Sequence, residues 1–172
     1  GIDQASVAGL IAYDRALVSG GRDVYTLMGK AKAQEELNQI AAATETLTLA
    51  LAAAKPGEET AAVKAQQSRL RNIALAREAR RLEGEGRLAA AEELRLAYVK
   101  ANPGDAHGWT GLGGVRAQRK EFQWALTAYQ KAIELDPKHV EALKGASGAC
   151  LALGRYDQAE AYLKAEIAVS PT

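Results

Sequence analysis

Residues 106–139 read AHGWTGLGGVRAQRKEFQWALTAYQKAIELDPKH, a stretch that sets Trp109-x-x-Leu112-Gly113 ahead of Ala125-x-x-x-Tyr129, Ala132 and Pro137. The same places recur at a step of 34 residues. Pro103, Pro137 and Pro171 mark that step, as do Ala91, Ala125 and Ala159, then Val99, Ile133 and Ile167, and Gly86, Lys120 and Gly154 at a turn. A period of this length is the signature of helical-hairpin units that bury their apolar faces against one another. Three full units follow: 72–105, 106–139 and 140–172.

The rest of the chain agrees with helices. Of 172 residues about a fifth are Ala, while Phe, Trp and Tyr together make up 5%, a balance that favours helix over strand. An all-α protein is expected, with a core made by close approach of small faces. Charges nearly cancel, with 22 Lys+Arg against 21 Asp+Glu, which argues against nucleic-acid binding. The most apolar run, Ile40 to Ala54, is short and broken by Thr44, Glu45 and Thr46, so no direct membrane insertion is expected. One Cys and two His do not make the usual Cys/His zinc site, and neither metal nor cofactor is expected.

Catalysis has no sequence support. Gly111-Leu112-Gly113-Gly114 falls inside a predicted helix and cannot cradle a phosphate. His107 and His139 have no Ser, Cys or Asp at a catalytic spacing and are read as surface groups, while Cys150, among Ala146, Ala149 and Leu153, is read as a small core residue. Trp109 has a packing place in the repeat; Trp124, beside Ala125, has none assigned.

Place by place, the middle unit resembles the tetratricopeptide repeat (TPR), whose pattern is W-x-x-L-G, then A-x-x-x-F/Y, then P. The resemblance implies a right-handed α-α superhelix of helix-turn-helix repeats. Ala79, Gly113 and Ser147 on first helices, with Ala91, Ala125 and Ala159 on second helices, would let paired backbones close together. Leu75, Trp109 and Leu143 would fill the space between them, and Tyr129, with Leu163 as its counterpart, would pack on the adjoining unit. The first full unit departs from the pattern, with Arg95 where Tyr129 stands.

A weaker unit spans 22–57, aligning Tyr25-x-x-Met28-Gly29 with Trp109-x-x-Leu112-Gly113 and Ala41 with Ala125. Before it, 1–21 resembles an orphan second helix: Ala12-Tyr13 matches Ala128-Tyr129, and Gly20-Gly21 stops it. Residues 58–71 form a helical extension, because Glu58 to Glu83 contains no breaker and predicts one long helix. The chain reads as a piece of a larger bacterial protein. Its compartment, periplasm or cytoplasm, is left open.

Function must then come from the faces of the first helices, which line the concave side of such arrays. That face assigns a partner-binding groove to Lys30, Arg69, Arg77, Arg80, His107, Thr110, Gly114, Gln118, Lys144 and Gly148. Cochaperones of this family clamp a carboxylate there with Lys, Asn and Arg. Lys144 fits one such place, but Gly148 stands where Asn is needed and Gly111 and Gly114 replace polar clamps, so that activity is set aside. The basic residues suit an acidic protein or peptide segment, and local ion pairing of arginines with Glu78 and Glu83 is the competing reading.

The expectation is a non-catalytic protein-interaction scaffold, part of a larger assembly. A structural spacer in a bacterial envelope system, such as exopolysaccharide or cellulose export or pilus biogenesis, is the alternative. The last helix, leaving Tyr162, Leu163 and Ile167 uncovered, predicts a homo-oligomer through the C-terminal end.

Overall fold

The computed structural model describes residues 4–20 and 23–170. Every regular element among them is an α-helix: α1 (Gln4–Val18), α2 (Val24–Glu36), α3 (Ile40–Ala53), α4 (Glu58–Gly84), α5 (Leu88–Ala101), α6 (Ala106–Gln118), α7 (Phe122–Leu135), α8 (Val140–Ala152) and α9 (Tyr156–Val169). α1 packs on α2, α2 on α3, and α5 through α9 each on the next in antiparallel fashion, and the first helices α6 and α8 also touch each other. Two units divide the chain, Gly1–Ala74 and Leu75–Thr172, with the division falling inside α4. The unbroken helix predicted from Glu58 is observed. Pro103 and Pro137 occupy the same position between a second helix and the next first helix; Pro171, like Gly21 and Arg22, lies outside the described residues.

One backbone device closes each hairpin. Gly86, Lys120 and Gly154 all adopt a left-handed conformation, with φ of 73°, 62° and 71°, and so does Asn38 at 63°. After each of them a backbone N–H reaches back five residues: Gln39 to Gln34, Arg87 to Leu82, Glu121 to Arg116 and Arg155 to Cys150, at 2.7–2.9 Å. This helix-ending geometry satisfies carbonyls that the last turn leaves open. Glycine takes it without strain and asparagine tolerates it; Lys120 adopts it against its intrinsic preference.

Asn38 corrects the register of the weaker unit. Aligning the left-handed residues moves it by two, so that Leu27, not Tyr25, takes the place of Trp109, and Ala43, not Ala41, takes that of Ala125. Burial agrees, since Leu27 is 5% exposed and Tyr25 67%. Ala43, Ala91, Ala125 and Ala159 are all buried at the corresponding place of their second helices. Asp23 and Asp105 then become equivalent and cap α2 and α6 by accepting from the Thr26 and His107 N–H groups, each at 2.9 Å.

The core of the first unit gathers Leu27, Ala31, Ala43, Leu47, Val63 and Leu70 from α2, α3 and the start of α4. In the second unit Leu82, Ala91 and Val115 join α4, α5 and α6; Val99, Leu112 and Ala128 join α5, α6 and α7; and Leu126, Tyr129, Ala146 and Cys150 join α7 and α8. Trp109 packs on the middle group, as its repeat place implies, and donates its indole N–H to the Pro103 carbonyl at 2.9 Å. Cys150 is fully buried, and that burial pushes its thiol pKa up, away from nucleophilic use.

Hairpins are joined by one repeated contact. A large side chain on a second helix lies across a glycine sixteen residues later on the next first helix: Tyr13 on Gly29, Arg95 on Gly111 and Tyr129 on Gly145. A Cβ at Gly145 would sit 2.4 Å from the Tyr129 ring, which is also pressed against Gly113, where a Cβ would lie 2.7 Å away. The ring has no room to retreat. Leu163, at the matching place of α9, is exposed, and so is Ile167. Tyr162 is not uncovered as expected: it packs against the α7–α8 core, and its hydroxyl accepts from Gln130 Nε2 at 3.1 Å.

Two glycines three residues apart on α8 therefore predict opposite outcomes. Gly145→Ala forces overpacking that costs about 1–3 kcal/mol, more than the roughly 0.5–1 kcal/mol that a helical Gly→Ala change gains. Gly148→Ala meets nothing within 4 Å and keeps that gain of about 0.5–1 kcal/mol. Urea midpoints of the two variants should fall on opposite sides of the wild-type value.

Candidate functional site

In the second unit the first-helix places expected to form a groove fall into equivalent sets along α4, α6 and α8. Arg77, Gly111 and Gly145 are one set; Arg80, Gly114 and Gly148 are another. Gly111 and Gly145 are already occupied by Arg95 and Tyr129, so they do not open to a ligand. Gly148 is exposed with free space above it, and a Cβ at Gly114 would approach only the Tyr129 hydroxyl, at 3.9 Å. Thr110 spends its hydroxyl on the Ala106 carbonyl at 2.9 Å, and Gln118 is exposed at the end of α6.

The basic residues sit in different surroundings. Lys144 is exposed but pairs with Glu166 of α9 at 3.4 Å. Arg69 belongs to the first unit, where it pairs with Glu35 at 2.5 Å. Arg77 and Arg80 belong to the second, and Arg80 is exposed and makes no ion pair among the described residues. Lys30 is not on a groove place. In the corrected register it matches Leu112, and it pairs with Asp14 at 2.7 Å beside a cavity of about 780 Å³ lined by Leu17, Val18, Leu27, Leu49 and Ala52 of the first unit.

Local pairing follows the competing reading at one place. Arg81 takes Glu78 at 2.5 Å together with Glu85, and its guanidinium pKa is raised mainly by the hydrogen bond to Glu78. Glu83 instead holds Arg95 at 2.9 Å, deep enough that Arg95 is buried. Glu92 is buried as well and takes Arg116 at 2.8 Å and Arg119. Arg116 in turn sits 5.7 Å from the centre of the exposed Trp124 ring, which gives that residue a cation–π role. Sequence patterning carries no signal for such pairs, because charged residues at those places normally face water.

The two histidines also depart from expectation. His107 is exposed at the start of α6, but His139 is buried, 6% exposed, and caps α8. Its Nε2 lies 3.0 Å from His107 Nδ1, and the rings meet edge to face with centroids 4.5 Å apart. The start of α6 is fixed from behind. Tyr98 of α5 lies over Gly108 and donates its hydroxyl to Asp105 Oδ2 at 2.7 Å, while Asp105 Oδ1 accepts the His107 N–H.

Two tetratricopeptide-repeat family models match, over residues 76–138 and 116–166. The chain belongs to the tetratricopeptide-repeat family. No curated protein sequence matches it. Among solved structures it is similar to the second TPR of Spaghetti (RPAP3) bound to the HSP90 peptide SRMEEVD, with 19% identity, coverage of 62% of this chain and 99% of that one, and a TM-score of 0.58. It is also similar to a MamA RS-1 double mutant, with 16% identity, 98% and 96% coverage and a TM-score of 0.56. The TPR2AB domain of yeast Sti1 in complex with pHSP90 gives 17% identity, 96% and 71% coverage and a TM-score of 0.56. At these identities the likeness is one of fold. Among the described residues no helix is long and apolar enough to cross a membrane.

Hydrogen bonding to Asp105, ahead of burial, pushes the Tyr98 pKa from 10.0 up to about 12. The neutral phenol is the donor, so the stabilisation is complete below about pH 10 and is lost as pH rises through about 12. Tyr98→Phe should therefore lower the urea midpoint by a constant amount below pH 10.0, and the gap from wild type should shrink by about pH 12.

Proposed function

We propose that this chain is a non-catalytic protein-interaction scaffold that receives an acidic peptide segment on the first-helix face of its second unit. The observation that carries the reading is the set Arg80, Gly114 and Gly148: an exposed guanidinium at one place, and glycines with open space at the equivalent places of the next two first helices. Glycine there lets a ligand backbone approach closely, and Arg grips a carboxylate through its planar fork. Tetratricopeptide repeats mediate protein–protein contacts, and the similar structures of Spaghetti and Sti1 hold HSP90 segments, one of them ending in EEVD.

A spacer role in an envelope system is the second reading. It is favoured by the pairing of Lys30, Arg69 and Lys144 with carboxylates of their own unit. Tyr156 and Ile167, 71% and 64% exposed on α9, fit self-association through that helix, which light scattering across a concentration series would report.

Fluorescence anisotropy with a labelled acidic peptide separates the first two readings. Scaffold binding should weaken about tenfold, near 1.4 kcal/mol, in Arg80→Glu and be blocked in Gly148→Leu, whose side chain fills the open place. Equal binding by wild type and both variants would leave the groove without a role.

A further inference from the structure

The geometry points to a site for a divalent transition-metal ion of the zinc type, formed by His107, His139 and Glu141. One ligand atom from each of these residues lies within 4.8 Å of the other two, and the two imidazole nitrogens are 3.0 Å apart. A tetrahedral zinc ion with Zn–N and Zn–O bonds of about 2.0–2.2 Å separates its ligand atoms by roughly 3.2–3.5 Å. The histidines need to open by only a few tenths of an ångström, and Glu141, exposed in the first turn of α8, has the freedom to close in. Two imidazoles and one carboxylate are a borderline donor set suited to zinc and its neighbours rather than to calcium or magnesium. Three protein ligands leave one position for water.

The repeat itself brings the three together. His107 and Glu141 hold the same place in consecutive units, and His139 closes the unit that His107 opens. Both first helices are anchored where the ligands project. Asp105 and Tyr98 fix the start of α6, and His139 is held at the start of α8 by burial and by its Nδ1 facing the Ala142 N–H at 3.4 Å. That last contact is at the edge of hydrogen-bonding range. When Nε2 coordinates, the ring proton moves to Nδ1, and both this weak contact and the hydrogen bond between the two imidazoles are exchanged for metal–ligand bonds. The positive ends of α6 and α8 oppose a cation, a partial-charge effect that direct imidazole and carboxylate bonds outweigh.

A plain hydrogen bond between neutral histidines is the competing account, and titration of the tag-free full chain with ZnCl₂ distinguishes them. Calorimetry should give one ion per chain, and Co²⁺ in its place should show the visible bands of a tetrahedral N/O site. His107→Ala, at an exposed position, should weaken zinc at least about tenfold, as should Glu141→Gln, with helical circular dichroism unchanged. His139→Asn, which keeps a capping side chain, should do the same. Absence of saturable binding in the wild type, or His107→Ala and Glu141→Gln binding as tightly as wild type, would overturn the site. So would a stoichiometry of one ion per two chains.

Discussion

At one repeated place among the described residues a second helix lays a large side chain across a glycine sixteen residues later: Tyr13 on Gly29 in the first unit, Arg95 on Gly111 and Tyr129 on Gly145 in the second. The rest of the packing depends on this contact. A chain with 5% aromatic residues cannot fill wide gaps between helices, so neighbouring hairpins must approach until one bulky group spans the space. Alanine at the matching place of α3, α5, α7 and α9 serves the same end within a hairpin. The contact is tolerant of chemistry but not of volume. Arg95 serves where tyrosine serves elsewhere, because Glu83 neutralises it at 2.9 Å and the guanidinium plane is flat enough to cover a glycine. A buried guanidinium without that carboxylate would be strongly destabilising, so Glu83 is part of the joint even though no repeat pattern asks for it.

What was legible in the sequence follows from which signals are local. Helix starts and stops are set by proline, by left-handed residues and by capping aspartates, each acting within a few residues, and so the long α4 and the 34-residue step were readable. The register of the weaker unit was not, because Tyr25 mimics the aromatic of Trp109 while the residue that fills the core is Leu27. Asn38 held the better signal, being the residue type besides glycine that most readily turns left-handed. That register also decides where Lys30 points. At the place of Leu112 it serves the space among α1, α2 and α3, not the groove.

The candidate site was less legible, because its chemistry depends on partners distant in sequence. Lys144 is compensated by Glu166 from the following helix, and Glu92 binds Arg116 of the helix after its own and Arg119 just past that helix's end. Each such pair removes a charge that composition alone would place on the surface. Arg80 remains as an exposed positive group beside glycine-bearing places. The recognition proposed for this face therefore calls more on backbone accessibility than on field strength, in keeping with the near-zero net charge.

A repeat turns sequence periodicity into spatial adjacency, and that sets the kind of chemistry it can hold. Residues at the same place in consecutive units become neighbours, so a functional cluster need not occupy a contiguous motif. His107 and Glu141 are separated by a full hairpin in sequence, yet they share one place in consecutive units, with His139 between them at the cap position. A search for short ligand spacings misses such a cluster, whereas comparing equivalent places across units exposes it. The same logic explains why His139 is buried. The cap positions at the starts of α2, α6 and α8 are occupied by Asp23, Asp105 and His139, and only the last has a ring large enough to reach across to the preceding first helix and meet His107.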